Sequence, residues 1–415
     1  MFKVSSLNAI SVMIKIFTGL VTSKFLAVYV GPSGMALVGN FRNFMSSIDS
    51  VGTLGFQNGI VKLVVESDKK EERLQKIFST LLFCVLIVSL VLGFVLFCFA
   101  DYWNQEIFGK TFQFQLVFRL VAVVLPFYIG SLYLLSLING FQRFREVIWI
   151  NIIGNVMGVI LTSFLVWKFA TLGALIAIIM APSFLFFISV FYLIKEVPLQ
   201  GKFKIHYFDL SVCKELSHYF VMTMVSGVLG SIVYIAIRNA IISKLGLTEA
   251  GYWEAISRIS TYYLLFVNTI LSIYYYPKLV AANSNREIKE VIWSFYKGIV
   301  GYFAIALVVI FLLRELLVQL VFTSNFEPVS QLFFWQLVGD FLKTISWILG
   351  LVFFAKKMTK AFIITESLSL LIMYFSSLYG ISYFSLQGVV IAHAFSYFLY
   401  LMVLIFYFRK TLLEK

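Results

Sequence analysis

Eight basic residues fall inside stretches that are long and apolar enough to cross a bilayer: Lys15, Lys24, Arg42, Arg119, Arg238, Arg258, Lys297 and Lys343. A cation at the centre of a membrane helix costs about 2.5–3.5 kcal/mol on the insertion scale, so eight facing lipid would cost roughly 20 kcal/mol or more. Most must therefore face a protein-lined, wet interior. The same stretches hold four acids, Asp49, Glu254, Asp340 and Glu366. An interior with surplus positive charge is suited to an anion. Arginine suits phosphate in particular, because its planar guanidinium stays charged when buried and offers two parallel N–H donors.

Spacing sorts these charges. Glu254 and Arg258 are four apart, and Asp340 and Lys343 three apart, so each pair shares a helical face and is able to neutralise itself. Arg42, Arg119 and Arg238 have no acid within four residues, which favours a cavity-lining role. Asp49 lies seven residues beyond Arg42 on the same face, as a partner for it or as a protonation site. Asp340 and Glu366 are further candidates for coupling to an ion gradient, because burial raises a carboxyl's pKa. Lys297 sits near the inner end of its stretch, where it reaches the interface by snorkelling. His393 reads as a hydrogen-bonded packing residue. Phe41, Trp253, Trp335 and Tyr262 have rings suited to stacking on sugars, although packing alone accounts for them.

The elements that must carry these residues are membrane helices. The chain has 415 residues, of which 61% are hydrophobic and 13% charged. A soluble domain carries about 25% charged residues. Windows of about 20 apolar residues mark twelve spans: 5–30, 35–62, 76–100, 113–139, 145–168, 171–195, 214–243, 249–278, 290–313, 328–355, 358–380 and 385–408. The first, Ser5 to Val30, is too long for a cleavable signal peptide and contains Lys15, so it reads as a span. With both termini cytoplasmic, the inner loops and termini hold 21 Lys and Arg and the outer loops four. That asymmetry is a positive-inside signal, and it accounts for the net charge of +13 without nucleic acid.

The two halves look alike. Phe108 and Phe322, Phe112 and Phe326, and Arg143 and Lys357 are each 214 apart, and Lys62-Leu63-Val64 recurs as Lys278-Leu279-Val280. A six-plus-six parallel repeat follows, with a substrate site expected between the halves. The expected organisation is an N-terminal six-helix lobe over 1–200, a cytoplasmic linker over 201–213 and a C-terminal six-helix lobe over 214–415. The fold class is thus an all-α membrane protein of twelve transmembrane helices in two lobes around a central cleft.

Enzyme chemistry finds little support. The three histidines, at 206, 218 and 393, are dispersed. There is no metal-ligand cluster, nucleophile–base arrangement or phosphate-cradling glycine loop. The longest outer loops are about a dozen residues, too short for the catalytic groups of a membrane oligosaccharide polymerase or ligase. No catalytic residue, cofactor or metal is expected. Cys84, Cys98 and Cys213 read as free thiols.

Several segments carry a family resemblance: Phe25-Leu26-Ala27 with Gly31-Pro32-Ser33-Gly34, Asn40-Phe41-Arg42, Asn139-Gly140-Phe141, and Trp335-Gln336-Leu337-Val338-Gly339-Asp340 with Leu342-Lys343. Through them the chain resembles the O-antigen and enterobacterial common antigen lipid III flippases of the multidrug/oligosaccharidyl-lipid/polysaccharide exporter superfamily. That resemblance implies movement of an undecaprenyl-pyrophosphate-linked oligosaccharide from the cytoplasmic to the periplasmic leaflet of the bacterial inner membrane by alternating access. The expected substrate-binding set is Arg42, Arg119, Lys15, Lys24, Arg238, Arg258 and Lys343, with Asp49, Asp340 and Glu366 as coupling candidates. Besides membrane lipid and the polyprenyl-linked substrate, a polysaccharide polymerase and a chain-length regulator are conceivable partners. The rival within the superfamily is a drug/proton antiporter, whose cavity favours acids over bases. Here eight bases face four acids.

Overall fold

Apolar runs of 20 or more residues leave the backbone no hydrogen-bonding partner in lipid except itself, which forces helix. The computed structural model describes residues 2–56, 59–61, 63–64, 71–196 and 207–413, and no strand occurs among them. Lys62, at the head of the expected Lys-Leu-Val repeat, and residues 201–206 of the expected linker lie outside the described residues. Nine helical segments among the described residues are long and apolar enough to cross a membrane.

Two of the nine are hairpins. In α6 (Phe144–Glu196) the helical path breaks at Ala170, with φ 45°. Gly154 packs on Leu185, and Gly173 packs so closely on the Leu165 carbonyl that a Cβ would collide with it. In α15 (Thr359–Tyr407) the break is at Ser385, with φ 52°, and Gly380 and Gly388 pack backbone to backbone. Lipid tails give no hydrophobic drive for helix pairing, so close approach of small residues supplies the packing that holds each hairpin. The break at Ala170 falls between two expected windows, and that at Ser385 falls on the first residue of the twelfth. The second expected span differs: α2 (Gly31–Gly52) ends early, and the chain turns through Leu54 and Gly55, both with positive φ. The helix runs through Ser46, Ser47, Asp49 and Ser50 and stops at Gly52.

Contacts divide the chain into two units: Met1–Tyr29 with Asn40–Val228, and Val30–Gly39 with Leu229–Lys415. The first unit contains α1 (Phe2–Tyr29), the later part of α2, α3 (Glu71–Cys98), α4 (Ala100–Phe108), α5 (Gln115–Gly140), α6 and α7 (Leu210–Met224). Its packing is aromatic at one end, where Phe41 meets Phe44, Phe108 and Phe118. Asn40 Nδ2 donates to the Ile107 carbonyl at 2.9 Å and ties α2 to α4. Asp209 caps α7 by accepting from the Ser211 N–H at 2.9 Å, a bond that holds its carboxyl below the usual carboxylate range.

The second unit contains the start of α2, α8 (Gly230–Leu245), α9 (Leu247–Ile270), α14 (Phe333–Ala355) and α15, with shorter helices between α9 and α14. Gly251 of α9 packs on the Pro32 backbone, and Ser33 and Thr248 share a 3.1 Å hydrogen bond. Positive-φ residues recur at a constant separation: Gly31 and Gly246, Gln142 and Lys357, and Ala170 and Ser385 are each 215 apart.

Candidate anion-binding site

In the second unit Arg238, Glu254 and Arg258 form one buried network. Arg238 projects from α8, and Glu254 and Arg258 from one face of α9, a turn apart. Arg238 Nη2 donates to Glu254 Oε2 at 2.8 Å, and Arg258 Nε donates to Oε1 at 3.0 Å. All three are nearly inaccessible, at 2%, 4% and 2% exposure in chain order. The Arg238 guanidinium also lies 5.0 Å from the Trp253 ring centroid, and Trp253 stacks on Tyr234. Gly39 of α2 approaches the ion pair so closely that a Cβ there would strike the Glu254 carboxylate and the Arg238 guanidinium. Arg258 Nη2 is buried without a hydrogen-bond partner.

Asp340, on α14, is the hub of a second cluster. Its Oδ2 accepts from Ser260 at 2.5 Å, from Gln336 at 3.2 Å and from the Tyr263 hydroxyl. Its Oδ1 lies 3.0 Å from His393 Nε2 on the second leg of α15. Gly339 makes room for that imidazole, since a Cβ would overlap it. Lys343 lies among aromatic rings. Its Nζ is 5.3 Å from the Trp347 centroid and 5.4 Å from that of Tyr397. Glu366 accepts from Tyr400 at 3.2 Å. Four intramembrane bases (Arg238, Arg258, Lys297, Lys343) share one unit with three intramembrane acids (Glu254, Asp340, Glu366).

The first unit holds the remaining site candidates. Lys15 and Lys24 are on α1, Arg42 on α2 and Arg119 on α5. Lys15, Arg42 and Arg119 are exposed and Lys24 is half-buried. The intramembrane acid of this unit is Asp49. It faces the Tyr128 hydroxyl, while its buried Oδ1 has no hydrogen-bond partner. Four bases therefore stand against one acid, three of them open at the surface of the chain. Lys297 of the second unit, expected to snorkel, is exposed.

Sequence reading finds Glu254–Arg258 and the hydrogen-bonded state of His393. It does not find the Glu254 partner of Arg238, because that acid is sixteen residues away on the next helix. Nor does it find Ser260, Tyr263 and Gln336 around Asp340. One signal was present: Gln336, Asp340 and Lys343 follow at four and three residues, a polar stripe on an apolar helix. Of the rings considered for sugar stacking, Phe41 and Trp253 are buried packing residues. Among the described residues no cluster of His, Cys, Asp and Glu is arranged to hold a metal ion.

Comparison with known proteins gives three findings. A family model described as polysaccharide biosynthesis protein matches residues 3–283. The chain is 28% identical over 365 residues to the lipid III flippase of Escherichia coli (strain K12), an alignment covering 88% of this chain and 87% of that protein. Among solved structures, an inward-facing multidrug resistance MATE family transporter of the MOP superfamily superposes with a TM-score of 0.82 at 12% identity, covering 96% of this chain and 94% of that one. The inward closed lipid II flippase MurJ superposes with a TM-score of 0.70 at 15% identity, covering all of this chain and 90% of that one.

Proposed function

The chain belongs to the polysaccharide biosynthesis protein family, and from that membership we propose that it is a flippase for a lipid-linked oligosaccharide. Its cargo is an undecaprenyl-pyrophosphate-linked sugar unit of the lipid III or O-antigen kind. The protein is a multi-pass transporter that turns the polar head across the bilayer while the polyprenyl tail stays in lipid. We place it in the bacterial inner membrane with both termini cytoplasmic. The basic inner loops support that orientation through the positive-inside rule.

The observation that carries the reading is the charge inventory of the first unit. Lys15, Lys24, Arg42 and Arg119 face a single intramembrane acid, and three of the four are exposed. A diphosphate crossing a low-dielectric medium needs such cations, because its charge is otherwise stripped of water. In the second unit Arg238 and Arg258 already share Glu254. By their number and exposure, the reading assigns direct phosphate contact to Lys15, Lys24, Arg42 and Arg119. Lys343 serves as a half-buried cation held among rings, and Arg238 and Arg258 keep the second unit in shape. Asp49, Asp340 and Glu366 are the groups through which an ion gradient would act.

The finer architecture belongs to this proposal. Twelve crossings arise if the two hairpins each cross twice and α2 is added to the nine apolar segments. The 215-residue recurrence of Gly31, Gln142 and Ala170 supports two six-helix lobes, 1–200 and 214–415, working by alternating access. A polymerase and a chain-length regulator are the candidate partners on the export route.

The test is complementation of a strain lacking its lipid III flippase. Wild-type chain restores export, and Arg42→Glu with Arg119→Glu abolishes it at unchanged membrane abundance. Full export by the doubly reversed protein would sink the cationic-path reading.

A further inference from the structure

Helix α7 is fastened to α3 at three points. The Asp209 N–H donates to Thr80 Oγ1 at 2.8 Å. The Phe208 and Phe83 rings meet edge-on at 5.4 Å. Arg73 and Glu215 form an ion pair at 3.1 Å. Four residues beyond Thr80 and Asp209, one helical turn in each case, stand Cys84 and Cys213, with their Sγ atoms 3.7 Å apart. Both thiols are free and half-buried. Three contacts that involve no cysteine thus hold two sulfur atoms face to face across two different helices.

We propose that Cys84 and Cys213 are a peroxide-modifiable pair that closes to a reversible intramolecular disulfide and staples α7 to α3. The thiolate of one cysteine attacks a peroxide oxygen; the O–O bond breaks, giving a sulfenic acid and water. The second thiol then attacks the sulfenic sulfur; the S–S bond forms, the S–O bond breaks and a second water leaves. Two thiols together give up two electrons and two protons, and hydrogen peroxide is reduced to two waters. A resolving thiol in contact diverts the sulfenic acid to disulfide before it oxidises further. Because the two cysteines are 129 residues apart, the bond also closes a long loop in the unfolded chain, the situation in which a disulfide constrains that state most. Cys98, exposed at the end of α3, is the internal control. The inference is independent of what the protein transports.

The test treats the purified full-length protein with hydrogen peroxide, blocks the remaining thiols with iodoacetamide and maps peptides by mass spectrometry with and without dithiothreitol. A Cys84–Cys213-linked peptide pair is expected, cleaved by dithiothreitol, absent in Cys84→Ser and in Cys213→Ser, and retained in Cys98→Ser. The oxidised wild type is also expected to melt at a higher temperature than the reduced, a rise that Cys84→Ser lacks. Recovery of Cys84 and Cys213 as separate alkylated or over-oxidised residues, or linked only between molecules, would overturn the proposal.

Discussion

Replacing Glu254 by glutamine removes the carboxylate that Arg238 and Arg258 share. Two charge-assisted hydrogen bonds, at 2.8 and 3.0 Å, are weakened together, each worth about 1.5–3 kcal/mol. All three residues are at most 4% exposed, so water cannot take over the lost role. Removing one member of a buried ion pair costs about 3–5 kcal/mol. At roughly 2–4 °C per kcal/mol for a unit of this size, the melting temperature of detergent-solubilised Glu254→Gln falls by roughly 6–20 °C. Tryptophan fluorescence during heating reads this directly, since Trp253 lies against Arg238. Arg119→Gln is the matched control. Its side chain is exposed, so its stability changes by no more than about 0.5 kcal/mol, while lipid-linked sugar export falls. If Glu254→Gln melts with the wild type, the ion pair does not hold α8 to α9, and the division between structural and substrate-facing arginines fails.

Gly39→Ala places a methyl group against Glu254 and Arg238, and overpacking of this kind costs about 1–3 kcal/mol. A melting temperature unchanged from wild type would show that α2 does not press on the ion pair. His393→Ala leaves Asp340 Oδ1 without its 3.0 Å neighbour and costs about 1–3 kcal/mol; thermal unfolding is again the measurement, and His393→Gln, which restores a donor, is expected to recover part of the loss.

The membrane class and most helix limits were legible from composition alone, because lipid demands long apolar windows and a self-satisfied backbone whatever the neighbours are. The break at Ala170 fell between apolar windows for the same reason, and the break at Ser385 fell on the first residue of the last window. The early end of α2 was not anticipated, since a window spanning Phe41 to Ile60 averages over the positive-φ turn at Leu54 and Gly55.

The sequence by itself determined which residues are costly in a bilayer, and hence which eight cations and four acids must have a purpose. Only tertiary structure decided their partners. A soluble helix announces its inward face by amphipathicity, but a helix that is apolar all round does not, so its rotation is set by packing against neighbours. That rotation brought Glu254 to Arg238 across sixteen residues and His393 to Asp340 across fifty-three. It also set Lys343 beside the rings of Trp347 and Tyr397.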